Sequence, residues 1–198
     1  MIGHFPSLKM GRMVAFESLI EQDLLYVLDY EPDVLIFGEQ PVRIEYPWQG
    51  KILHYTPDFH VVRLAGQELV ECKPQALVGT EENQRKFKVA DEWCKKQGWK
   101  FSVVTDQELR TGHRLNNIKL LTRYARVSVK PEMVQRILDH LSSMPSPIAL
   151  LEAANLIQPD HPDQGLAMLL YLAFHHRIGL PLEMAPISGA THIEVTRR

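Results

Sequence analysis

Apolar residues recur at helical spacing between Phe16 and Tyr30. Ile20, Leu24, Val27 and Leu28 share one face and Leu25 borders it, which predicts an amphipathic helix ended by Pro32 in "EPDV". Three strand-like runs follow, "PVRIEY" (41–46), "KILHYTPDFHVV" (51–62) and "QELVECKP" (67–74). The polar turns "PWQG" and "LAGQ" separate them, so the expectation is an antiparallel meander. The helical period returns over residues 81–97, opened by Thr80 as N-cap and stopped at Gly98. "KFSVVTD" (100–106) reads as a short apolar strand and the stretch to Val127 as connecting helical turns. The first dozen residues lack periodicity and read as an arm or loop. Helix, three strands, helix, strand is the order of an α/β layer with a mixed sheet at its centre.

Near "VSVKP" (127–131) the pattern changes. Pro131 suits the first position of a helix over "PEMVQRILDHLSS", Ser146-Pro147 opens a second through "IALLEAANLI", and Asp163 caps a third ending at Gly179. The tail reads as a hairpin turning at "SGA". Three short helices and a hairpin outline a winged helix, which divides the chain into domains 1–127 and 128–198. The third helix is apolar nearly all round and offers mainly Gln164 and His175-His176-Arg177 to a partner. A helix that reads base edges needs exposed polar side chains. This domain therefore reads as a dock for protein partners rather than a reader of DNA sequence.

Composition narrows the field. With 198 residues, 45% of them hydrophobic, the chain can bury one solid core or one plus a smaller second. It has no apolar run of membrane-spanning length and no signal-peptide h-region, and its two cysteines lack metal-ligand spacing. The expectation is a cytoplasmic protein with no membrane partner. A net charge of −2 does not advertise nucleic-acid binding, yet basic residues cluster in "NQRKFKVADEWCKKQGWK" (83–100). Arg85, Lys86, Lys88, Lys95 and Lys96 suit either a DNA backbone or a solvated helix face.

The chemistry concentrates between residues 54 and 75. Residues two apart on a strand share a face, so Glu71 and Lys73 point together, while Val70 and Cys72 point into the core. Asp58 follows Pro57 on the neighbouring run and can converge with Glu71 through the "RLAG" turn. Two adjacent carboxylates repel unless a cation or proton intervenes. Mg²⁺ suits them, with the Cys72 carbonyl as a further oxygen ligand and Lys73 orienting or helping to deprotonate an attacking water. The competing reading is an exposed charged pair and a turn aspartate. Glu21 lies on the apolar face of the first helix, where a charge needs a partner, but "SLIE" also matches a capping box. Glu17 sits one turn earlier, at the frayed start, and His60 either lines the pocket or flanks a strand.

The segments "FESLIEQDLLYVLDYEPDVLIFGEQP", "HYTPDF", "VECKP" and "KKQGWKFSVVTDQEL" together resemble TnsA, the endonuclease subunit of heteromeric Tn7-like transposases. The resemblance covers about residues 14–126, and the C-terminal third by outline. It implies a restriction-endonuclease-like core with a P-D…[D/E]-x-K active site and a C-terminal winged-helix-like domain. It further implies Mg²⁺-dependent cleavage of the 5′ strands at transposon ends, with Mn²⁺ as a substitute. The implied partners are DNA, the DDE transposase TnsB and the AAA+ regulator TnsC, in a cytoplasmic, nucleoid-associated assembly. Matching the motifs carries the family's helix glutamate onto Glu21 and its strand residues onto Asp58, Glu71 and Lys73. Some members have Gln where this chain has Glu71, and better-known members have a longer N-terminal extension. Relatives also occur in CRISPR-associated transposons, a setting this sequence does not distinguish. The alternatives are a stand-alone restriction or repair nuclease of the same fold, and a scaffold that keeps the fold without the chemistry.

Overall fold

The computed structural model describes residues 2–144 and 147–194. Its contacts divide the chain into two compact units, 1–111 and 112–198.

The first unit opens with β1 (Gly3–Pro6) and β2 (Met13–Phe16), an antiparallel hairpin where the sequence suggests an arm or loop. α1 (Leu19–Tyr30) follows, then β3 (Val34–Glu39), a strand in a stretch that the sequence pattern leaves unassigned after the "EPDV" turn. β4 (Ile44–Trp48) and β5 (Lys51–Tyr55) form a separate two-stranded hairpin. Gln49 and Gly50 both have positive φ, 47° and 75°, as a tight two-residue hairpin turn requires. β6 (Phe59–Arg63) and β7 (Gly66–Lys73) come next, then α2 (Gln75–Val78), α3 (Glu81–Gln97), β8 (Lys100–Thr105) and α4 (Asp106–Arg110). The central sheet has the order β3-β6-β7-β8, antiparallel except for the parallel β7–β8 pair.

The expected three-strand meander is thus two structures. Pro57 has no N–H to give a ladder, and the run 51–62 breaks there into β5, in the hairpin, and β6, in the central sheet. Alternation along β7 sets the core. Val70 and Cys72 pack with Phe59, Val61, the β1–β2 hairpin and the Leu24-Leu25-Leu28 stripe of α1. Leu69 packs on the other side with Ala90 and Cys94 of α3 and with Ile44, Tyr46 and Tyr55 of the hairpin. α3 keeps its expected limits, with the Thr80 hydroxyl accepting from Asn83 N–H and Gly98 closing the helix at φ 71°.

The second unit holds α5 (Arg114–Thr122), α6 (Pro131–Ser143), β9 (Ile148–Ala149), α7 (Leu150–Ile157), α8 (Pro162–Phe174) and β10 (His192–Ile193). Asn117 on α5 is buried and donates to the carbonyls of Leu182 and Ala185 while accepting from Ile187 N–H. These bonds tie α5 to the C-terminal loop.

Other C-terminal details differ from expectation. Ser146 lies outside the described residues, and after Pro147 the chain first forms β9 before α7 begins at Leu150. α8 ends at Phe174 rather than Gly179, because His176 adopts φ 54° and closes the helix by bonds from His176 N–H to Ala173 and Arg177 N–H to Leu172. His161 occupies the N-cap position of α8, and Asp163 lies in its first turn. "SGA" does turn, with Thr191 N–H donating to Ser188, but β10 pairs with β9, and among the described residues Gly179 and Glu194 form an isolated antiparallel bridge. Among the described residues no helix is long and apolar enough to cross a membrane.

Candidate active site

β6 and β7 pair with Phe59 opposite Val70. Asp58 directly precedes Phe59 and Glu71 directly follows Val70, so the two residues lie at the open end of the strand pair, close enough for the Glu71 charge to act on Asp58. Two bonds fix Asp58. Its carbonyl accepts from Gln40 N–H at 2.8 Å, continuing the β3–β6 ladder, and its Oδ2 accepts from Cys72 N–H at 2.7 Å. A strand residue presents its N–H and C=O on the same edge. The Cys72 carbonyl therefore faces the Asp58 side, away from β8.

Glu71 is 3% exposed, and both its oxygens are engaged. Lys73 Nζ lies 2.8 Å from Oε1, and the Tyr55 hydroxyl donates to Oε2 at 2.8 Å. Glu21 arrives from the α1 side of the sheet. The Ser18 hydroxyl accepts from Glu21 N–H at 3.2 Å, and the Glu21 carboxylate accepts from Glu17 N–H at 2.9 Å. That is a capping arrangement displaced by one residue, and it leaves Glu21 buried at the start of α1.

Electrostatics link these groups. Burial, the Glu71 charge and the Glu21 charge together push Asp58 up to about 7, against the pull of the Cys72 N–H and Lys73. Burial also pushes the Tyr55 hydroxyl up, helped by Glu71, so the phenol remains a donor. The Cys72 thiol is raised by burial and by the same three carboxylates, which leaves it inert at neutral pH. For Lys73, burial alone lowers the pKa, but the Glu71 hydrogen bond and the Glu71 and Asp58 charges outweigh it, and the net shift is upward. Lys73 is held as an ammonium, not poised as a base.

The donor set fits a small hard cation. Among the described residues no three His, Cys, Asp or Glu side chains are gathered closely enough to form a ready metal cage. Mg²⁺ does not need one, since it typically keeps several waters and takes one or two carboxylates plus substrate phosphate. Two carboxyl groups held side by side, one of them short of a counter-charge, supply that need.

Residues 31–106 match the family model described as TnsA-like endonuclease N terminal. The match supports a TnsA-like nuclease. It spans Asp58, Glu71, Cys72, Lys73 and the whole of α3, and leaves out Glu21. No curated protein matches the chain significantly.

Two neighbours of the site are absent from the sequence reading. Tyr55 holds Glu71 from a strand of another sheet, and spacing along one chain gives no sign of that pairing. Gln40 adopts φ 44°, unusual for a residue with a Cβ, while its backbone anchors Asp58 and its side chain donates to Glu17 at 3.0 Å. His60, by contrast, is taken up structurally. It stacks on Trp99 with ring centroids 4.5 Å apart and pairs with Gln67 at 2.9 Å. The basic cluster of α3 also divides, since Lys86 and Lys95 form i,i+4 ion pairs with Glu82 and Asp91, whereas Arg85, Lys88 and Lys96 line one cleft.

Proposed function

We propose that this chain is a Mg²⁺-dependent DNA endonuclease subunit that cuts the 5′ strands at transposon ends, beside a DDE transposase of the TnsB kind and an AAA+ regulator of the TnsC kind. The observation that best supports the reading is the bond from Cys72 N–H to Asp58 Oδ2 beside the buried Glu71 at the end of β6–β7, inside the segment matched to the TnsA-like family model. Asp58, Glu71 and the Cys72 carbonyl would hold the ion, with Glu21 assisting at the same or a second ion. The bound ion supplies Lewis-acid polarisation of the phosphate and a more acidic water. Mn²⁺, with the same preference for oxygen donors, substitutes for it.

Lys73, held as an ammonium, donates to the attacking water or to a phosphoryl oxygen and offsets charge developing on phosphorus. Tyr55 keeps Glu71 in place while Lys73 changes partners. The second unit, whose α8 buries Leu169, Leu170, Leu172, Ala173 and Phe174, reads as a winged-helix-like dock for the protein partners, with base choice left to the transposase.

The test is nicking of a labelled transposon-end duplex in Mg²⁺ with the partners present. Asp58→Ala and Lys73→Ala are expected to lose 5′-strand cleavage while still co-purifying with the partners. Cleavage at wild-type rate by either purified variant rules the assignment out. Efficient cutting of plain duplex by the lone chain would instead mark a stand-alone nuclease.

A further inference from the structure

Apart from the carboxylate site, one cleft of about 400 Å³ runs between the β4–β5 hairpin and α3. Trp48, 42% exposed, stands at the hairpin tip, and the Arg85 guanidinium lies over its ring at 4.2 Å. Arg85 Nε is buried there and has no hydrogen-bond partner, a donor left unmet. Lys88 and Lys96, both exposed, extend the same wall from positions two turns apart on α3, with Glu92 on the turn between them. Glu45 and Glu92 also line the cleft, and Glu45 is turned toward His54 Nδ1 at 3.4 Å. An exposed indole holding a guanidinium, with two further cations in line, matches the chemistry of a nucleic-acid strand: ring faces for sugar or base, cations for phosphates.

The hairpin also sets a distance. Tyr55, which holds Glu71, pairs with Ile44 at the base, and Trp48 lies four residues further along β4. That separation is about 13 Å at strand rise, or roughly four base steps of duplex.

We infer that the Trp48–Arg85–Lys88–Lys96 cleft is a DNA-binding site that grips the strand about four nucleotides from the cut, Arg85, Lys88 and Lys96 taking phosphates and Trp48 packing on a sugar or base. The inference rests on the nuclease reading for the identity of its ligand but not on cleavage itself.

The experiment measures binding of a fluorescein-labelled nicked duplex to the full chain in EDTA across a range of salt concentrations. The double variant Lys88→Ala/Lys96→Ala, two surface changes, is expected to flatten the slope of log affinity against log salt by about one to two. Trp48→Ala is expected to weaken binding roughly ten-fold. Unchanged slope and affinity in the double lysine variant, with a wild-type thermal midpoint, overturn the site. A chain that binds through the cleft yet never nicks in Mg²⁺ defeats the nuclease reading alone. One that nicks normally with the cleft erased defeats this inference alone.

Discussion

A carboxyl pushed up to about 7 makes the metal-free chain sensitive to pH in a definite direction. Asp58 binds its proton more tightly folded than unfolded, so its contribution to stability is complete below about pH 4. That contribution is lost as pH rises toward about 7 and is constant above it. Asp58→Asn keeps an acceptor for Cys72 N–H but has no charge to expose. In EDTA this variant should gain stability over wild type by roughly 1–3 kcal/mol at pH 8, and far less at pH 5. Urea titrations at the two pH values check this, and an equal difference at both counts against it. The same substitution should abolish the thermal shift that Mg²⁺ gives wild type at pH 8. The pairing of Glu71 with Lys73 was legible in the sequence, because a two-residue period fixes a shared face. Tyr55 and Gln40 were not, because each reaches the site through pairings that bring distant segments together.

Elements of the fold were readable where local chemistry punctuates them. Thr80 and Gly98 mark both ends of α3, and Pro131 opens α6, so these helices could be bounded from the chain alone. β3 was missed because "VLIFGE" follows a proline turn and lacks clean alternation, and α8 was overrun because His176 fills a left-handed position that usually belongs to glycine. At the start of α1 the sequence left capping and chemistry in competition for Glu21, and the structure gives it both a capping bond and a place near Asp58. Substitution separates the two roles. Ser18→Ala removes the acceptor for Glu21 N–H and should lower stability by about 1 kcal/mol with nicking retained. Glu21→Gln preserves an acceptor for Glu17 N–H but not the charge, so stability should hold while nicking falls roughly ten- to a hundred-fold. Chemical denaturation and nicking rates measured on the same preparations decide it. If Glu21→Gln nicks normally, the glutamate is a cap and nothing more.

At the scale of the whole chain, two compact units imply two sources of stability, and a change confined to one should reveal it. Gly165 sits where α8 crosses α7 so closely that an added Cβ would lie 2.5 Å from the Ala154 carbonyl oxygen and 3.1 Å from its carbonyl carbon. These are backbone atoms that no side-chain rotation can clear. Gly165→Ala must push the helices apart, at a cost of roughly 1–3 kcal/mol. For a unit of this size that is a fall of several degrees in its unfolding temperature. None of Asp58, Glu71 or Lys73 lies in that unit. Calorimetry of the full chain should therefore show one transition moving down, while a second keeps both its position and its upward shift on adding Mg²⁺. A single transition that moves as a whole, metal response included, would mean that the two units unfold as one. Nicking by Gly165→Ala without partners should then match wild type below the lower transition, whereas assembly with the partners, if α8 and its neighbours are the dock, should fail first.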